Sequence, residues 1–144
     1  VARISLGLQE KLFLGNLDAE RDWGHARDYV EGMWRILQHS EPDDFVLATE
    51  EKHSVREFVE LAFNHIGIKI AWSGEGVDEI GKDEATGREL VFIDPKYFRP
   101  TEVELLLGDA SKAKRLLGWQ SSTPFAKLVN EMMEHDLKLV SKDG

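Results

Sequence analysis

Apolar positions along this chain change period several times, and each change marks an element. Ala26, Tyr29, Val30, Met33, Trp34 and Leu37 recur at the spacing of one helical face, predicting an amphipathic helix over residues 24–38 with that face buried. Val55, Phe58, Val59, Ala62, Phe63 and Ile66 predict a second helix over residues 54–66. Ser54 and Glu57 form its capping box, and Gly67 stands where a left-handed residue would end it. A short helix over residues 110–117 has Ala113, Leu116 and Leu117 inward, Asp109 as cap and Gly118 as terminator. Thr123 and Pro124 open a last helix to residue 139, with Phe125, Leu128, Val129, Met132 and Met133 inward. Ile4 and Leu8 share one face of a helix end within residues 1–10.

Short apolar runs predict strands over residues 12–14, 44–48, 68–72 and 90–94; the second is nearly continuous, as in a sheet covered on both faces. Residues 73–89 are rich in glycine and charge and predict an exposed excursion of hairpin type. Short strands alternating with amphipathic helices make the fold class α/β.

A compact chain of 144 residues buries about two thirds of its unfolded surface, so one core is expected. The 27 acidic against 18 basic residues give a net charge of -9, which opposes binding to nucleic acid and to anionic membranes. With no cysteine there is no disulfide framework, thiolate nucleophile or thiolate metal site. No apolar run reaches a membrane span of about 18 residues, and the start lacks the pattern of a secretion signal, so a cytoplasmic location is expected. Residues 1–10 read as the end of a helix with neither cap nor initiating methionine, the expectation being a chain that begins inside an element.

Candidate chemistry gathers in two stretches. Gly15, Asn16, Arg21, Asp22 and Trp23 lie in a loop pinned between the first strand and the first long helix, a suitable place for an arginine to meet an anion. Neighbouring arginine and aspartate also form ordinary surface pairs worth roughly 0 to 1 kcal/mol, so this spacing alone leaves both readings open. In the second stretch Pro100 stiffens the backbone after Arg99, and Glu102 follows three residues later. His53 and His65 lack partners at metal-ligand spacing, and no metal site is expected. Gly74 and Gly76 stand among acidic residues that would repel a phosphate.

The string Arg21-Asp22-Trp23-Gly24-His25-Ala26, followed by Asp28-Tyr29-Val30, resembles a segment of the extended short-chain dehydrogenase/reductase family. Arg99-Pro100 with Glu102-Val103, then Gly108-Asp109 with Ser111-Lys112-Ala113, then Leu117-Gly118-Trp119, resembles the C-terminal signature of its nucleotide-sugar-modifying members. Gly15-Asn16-Leu17-Asp18-Ala19 is most similar to the members that dehydrate GDP-mannose.

This resemblance implies the C-terminal, substrate-binding part of a Rossmann-type subunit across residues 1–144, without the N-terminal part that binds NADP. In such members the sugar is oxidised at C4, water is eliminated across C5 and C6, and hydride returns to C6. By motif match Arg21 and Arg99 would clamp a diphosphate, Glu102 would hold ribose hydroxyls, and the strand from Phe13 to Asn16 would meet the base through its backbone, Asn16 included. Asp22 and Asp28 would fix the loop and helix start. The family's Tyr-x-x-x-Lys pair is not matched, since Tyr29 is followed four residues on by Met33 and Tyr97 by Thr101. The resemblance therefore implies no catalytic or cofactor-binding residue in this stretch, an inactive chain on its own, and a homo-oligomeric (dimer or tetramer) full-length enzyme. A related epimerase or reductase, or a noncatalytic acidic α/β interaction module, stays open at this point.

Overall fold

The computed structural model describes residues 1–99 and 107–142. The chain divides into two compact units: Val1–Ala19, Ser54–Val103 and Val129–Gly144 form the first, and Glu20–His53 with Glu104–Leu128 the second. Each unit has its own apolar centre, in place of the single core expected from length.

In the first unit, a four-stranded mixed sheet has the order β1 (Leu12–Leu14), β6 (Glu89–Ile93), β5 (Ile80–Asp83), β4 (Ile70–Ser73). β1 runs parallel to β6, while β5 is antiparallel to both of its neighbours. The stretch expected as an exposed excursion of hairpin type does fold back, β5 running antiparallel to β6, but β5 lies inside the sheet with Gly81 buried. Gly81 explains why the pattern hid it: a Cβ there would lie 2.8 Å from the Trp72 ring and 3.0 Å from Ile70 and Val91. The inward position is filled by its neighbours, so no apolar side chain advertises it. The one-turn helix α1 (Ala2–Ser5) and α3 (Val55–His65) close the core, in which Ile4, Val59, Phe63, Ile70, Leu90 and Val91 are buried. Leu8 is exposed, against expectation, because α1 ends before reaching it.

α3 begins as its sequence dictates. The Ser54 hydroxyl accepts from the Glu57 N–H at 3.1 Å, and the Glu57 carboxylate accepts from the Ser54 N–H at 3.0 Å. Gly67, at φ +78°, follows its last turn.

β2 (Glu20–Arg21) pairs with β3 (His53–Ser54), and in the second unit α2 (Ala26–Gln38) is capped by His25 Nδ1, which accepts from the Arg27 N–H at 3.0 Å. α4 (Ser111–Leu117) ends at Gly118 in the left-handed conformation, φ +59°. Asp109 accepts the Ser111 N–H at 2.9 Å, although Ala110 holds the cap position. Ala48, Ala110, Ala113 and Trp119 form the core.

Two expectations fail in this unit. Residues 44–48 form no strand; the Lys112 ammonium donates to the Asp44 carbonyl at 2.9 Å and lies over the Phe45 ring. The apolar stripe of α2 is not its buried face either. Val30, Met33, Trp34 and Leu37 are all more than half exposed, whereas Asp28 and Gly32 are buried. Gly32 is the reason: a Cβ there would sit 2.6 Å from Leu47 and 3.0 Å from Trp119 Nε1, so the helix packs through its smallest residue. Leu116 is likewise exposed on α4.

The last helix, α5 (Phe125–Val140), buries Phe125, Leu128, Val129 and Met133 as its spacing predicts but exposes Met132. No helix among the described residues is long and apolar enough to cross a membrane.

Candidate functional site

The parallel pairing of β1 with β6, in the register Leu12 to Val91, Phe13 to Phe92 and Leu14 to Ile93, sets the carboxyl ends of two distant segments side by side. Ligands of open α/β sheets bind outside such carboxyl ends. Beyond β6 the chain turns on Asp94. Its N–H donates to the Leu14 carbonyl at 2.8 Å, its own carbonyl accepts from Tyr97 and Phe98 at 2.9 and 3.1 Å, and its side chain accepts from the Lys96 N–H at 2.9 Å. This turn lays Tyr97 against Gly15, where a Cβ would come within 2.3 Å of the Tyr97 carbonyl oxygen. Glycine alone permits that approach.

The next residue on each side completes the junction. Asn16 donates from Nδ2 to the Arg99 carbonyl at 2.8 Å and accepts at Oδ1 from the Arg99 N–H at 2.7 Å. The structure therefore brings together Asn16 and Arg99, two of the four residues singled out in the sequence. Asn16 spends its amide on the Arg99 backbone, leaving the Arg99 side chain exposed at the end of the strands. Glu102 lies outside the described residues.

Arg21 belongs to the second unit, on β2, where its Nη1 donates to the Glu20 carbonyl at 2.7 Å. The carboxylate beside it, Asp22, holds a loop: it accepts from the Thr49 N–H at 2.9 Å, the Thr49 hydroxyl at 2.6 Å and the Glu50 N–H at 3.1 Å. Glu50 needs that hold, having a left-handed φ of +64° that only glycine adopts freely. Burial, together with the charge and hydrogen bond of Asp22, raises the Tyr29 phenol above its usual range. Asp22 and Tyr29 also border a largely apolar cavity of about 330 Å³ with Val46, Leu47, Ala48, Leu107 and Gly108, which Asn16, Arg21 and Arg99 do not line.

Asp28 is buried at 5 % exposure. Burial alone would raise its pKa, but the Ser122 hydroxyl and N–H and the Thr123 N–H favour the charged form and bring it down to about 2. Those donors lie 2.8 to 3.0 Å away, the Ser121 hydroxyl is at 3.2 Å, and the Asp28 carbonyl accepts from Trp119 Nε1 at 2.7 Å. Asp28 is thus a structural carboxylate that ties α2 to residues 119–123.

Sequence reading passed over Arg56 and Asp18, which pair at 2.8 Å beside the Asn16 loop. A signal was available. Arg56 stands in the first turn of α3, where the helix dipole disfavours a cation, so an arginine there calls for carboxylates nearby. Among the described residues no three histidine or acidic side chains could hold a metal. Gly76 opens only a single 3-10 turn, Gly76–Asp78, between Glu75 and Glu79, and not a helix of the kind whose start holds a phosphate.

A family model described as GDP-mannose 4,6 dehydratase matches residues 1–132. The chain is 57% identical over 143 residues to GDP-mannose 4,6 dehydratase of Drosophila melanogaster, covering 99% of this chain and 36% of that protein. It is 59% identical over 136 residues to GDP-mannose 4,6-dehydratase of Sinorhizobium fredii (strain HH103), covering 94% and 39%. The chain therefore spans well under half the length of the curated relatives it matches. Among solved structures, RMD from Pseudomonas aeruginosa complexed with NADPH superposes with a TM-score of 0.73 at 18% identity, over 96% of this chain and 40% of that one. The dTDP-glucose 4,6-dehydratase of Bacillus anthracis in complex with NAD gives 0.67 at 15%, over 99% and 38%. At such identities the structures speak for the α/β fold alone. The sequence match is of another order, and by it the chain belongs to the GDP-mannose 4,6 dehydratase family.

Proposed function

We propose that this chain is the substrate-binding part of a GDP-mannose 4,6-dehydratase, a lyase that converts GDP-mannose to GDP-4-keto-6-deoxymannose, and that these residues bind the GDP moiety. The observation that carries the reading is the two-way hydrogen bond between Asn16 and Arg99, which sets two motifs from opposite halves of the chain at one end of a parallel strand pair. In this reading Arg99 and Arg21 hold the diphosphate by paired N–H contacts, Glu102 accepts from ribose hydroxyls, and the backbone from Phe13 to Asn16 meets the base. On a chain of net charge -9, a dianionic ligand settles only where guanidinium groups offset the field. Nucleotide binding then orients the sugar for chemistry done by groups outside this chain. NADP supplies the hydride chemistry of the whole enzyme from the same longer polypeptide, a homo-oligomer.

Calorimetric titration of the 144-residue chain with GDP and with UDP tests the reading. A backbone edge that pairs with purine groups is left unpaired by a pyrimidine, so GDP is expected to bind at least about tenfold more tightly. Equal affinities, or no heat with GDP, would overturn it.

A further inference from the structure

Residues 15–19, which lead away from β1, are held on every side, and most of the hold comes from the first turn of α3. The Arg56 N–H donates to the Leu17 carbonyl at 2.9 Å and the Val55 N–H to the Ala19 carbonyl at 3.2 Å, so amides that a helix start leaves without partners are satisfied by this loop. Leu17 and Ala19 are buried between those contacts. The Arg56 side chain then reaches back over the same loop. Its Nε and Nη2 donate to Asp18 Oδ1 at 3.0 and 2.8 Å, while Nη1 and Nη2 grip Glu79 Oε1 and Oε2 at 2.6 and 3.0 Å. The guanidinium lies 4.7 Å from the centre of the Trp72 ring, and Trp72 Nε1 donates to Glu60 at 2.7 Å. One planar cation therefore ties loop, sheet and helix together. Lysine could not copy this, because a single ammonium cannot serve two carboxylates in a fork and cover a ring.

We propose that Arg56 is a positioning residue for nucleotide specificity: through Asp18 and the Leu17 carbonyl it fixes residues 15–19, so that Asn16 stays locked on Arg99 and the loop offers the base a single backbone edge. The proposal rests on the nucleotide-binding reading above. Arg56 contacts no ligand in it. Its effect falls most on the base, which meets the backbone of residues 15–19 directly, and less on the diphosphate, which Arg21 holds as well as Arg99.

That division gives the test its readout. In the 144-residue chain, Arg56→Lys is expected to weaken GDP about tenfold while UDP and inorganic pyrophosphate change by less than about twofold, erasing the preference for GDP. Asp18→Asn, at a largely exposed side chain, should act in the same direction by about threefold, and the double variant should be no worse than Arg56→Lys. Amide hydrogen exchange in the ligand-free chain should quicken at Arg99, whose N–H is held by Asn16, and stay slow at buried Val129. Unchanged exchange at Arg99 in both variants would overturn the positioning role, whatever the affinities. Parallel losses for GDP, UDP and pyrophosphate with faster exchange at Val129 would overturn it too, showing plain destabilisation. A wild-type chain that binds no GDP would sink the nucleotide reading itself, a result distinguishable from the first two because it needs no variant.

Discussion

Asn16 and Arg99 exchange two hydrogen bonds, the asparagine amide donating to the Arg99 carbonyl and accepting from the Arg99 N–H. The pattern is that of one strand residue reading another, carried out by a side chain. Only a carboxamide can complete it. Asn16→Asp keeps the acceptor but sets a carboxylate oxygen against the Arg99 carbonyl, so it should cost about as much as Asn16→Ala. Each is expected to lower GDP affinity by about tenfold, the equivalent of one hydrogen bond of roughly 1 to 1.5 kcal/mol. Calorimetry that finds Asn16→Asp equal to wild type would show that the junction does not shape the site.

What the sequence disclosed, and what it hid, follows from where each element keeps its information. α3 was legible because its start is written locally: Ser54 and Glu57 satisfy each other's amides, and Val59, Ala62 and Phe63 bury one stripe. α2 was legible as a helix but not in its facing, since the pattern marks apolar side chains while the packing is decided by Gly32, which leaves no mark in a hydrophobic pattern. β5 escaped for the same reason at Gly81. Of the site, Asn16 and Arg99 were found by motif. Their direct contact was not legible, because it depends on β1 lying parallel to β6, a pairing between segments far apart in the chain.

Gly15 should tolerate no side chain. A methyl group there meets the Tyr97 carbonyl at 2.3 Å, and backbone cannot swing aside as the end of a long side chain can. Gly15→Ala is expected to cost about 2 kcal/mol of stability by forcing the turn after Asp94 away from β1. Urea denaturation should show the lowered midpoint, and Gly7→Ala, where nothing lies within 4 Å, serves as a comparison carrying only the strain of its left-handed φ of +71°.

Asp28 gives the chain a defined acid sensitivity. Its folded pKa of about 2 lies below the 3.9 or so of an unfolded aspartate, so the folded state binds this proton less readily than the unfolded one. Its stabilisation, about 2 kcal/mol, is fully present above roughly pH 5, fades as pH falls through about 4, and is gone below about 2. Asp28→Ala should remove that stabilisation at neutral pH and flatten this part of the acid limb, as the Ser122 and Thr123 amides lose their acceptor. Stability measured in urea from pH 7 to pH 2 for both proteins checks the difference.

The diphosphate contact separates guanidinium geometry from charge. Arg99 has its backbone fixed by Asn16 and its side chain exposed, so its replacement should leave the fold intact. Arg99→Ala and Arg21→Ala are each expected to weaken GDP by tenfold to a hundredfold, or roughly 1.5 to 3 kcal/mol for a charge-assisted contact. Lysine restores the charge but not the pair of parallel N–H bonds that meets two phosphate oxygens. Arg99→Lys should therefore recover less than half of the lost binding energy, and its remaining affinity should fall more steeply with added salt, because a point charge without directed hydrogen bonds is screened more completely. If Arg99→Lys bound GDP as wild type does at every salt concentration, Arg99 would act through charge alone and the paired contact would have to be given up.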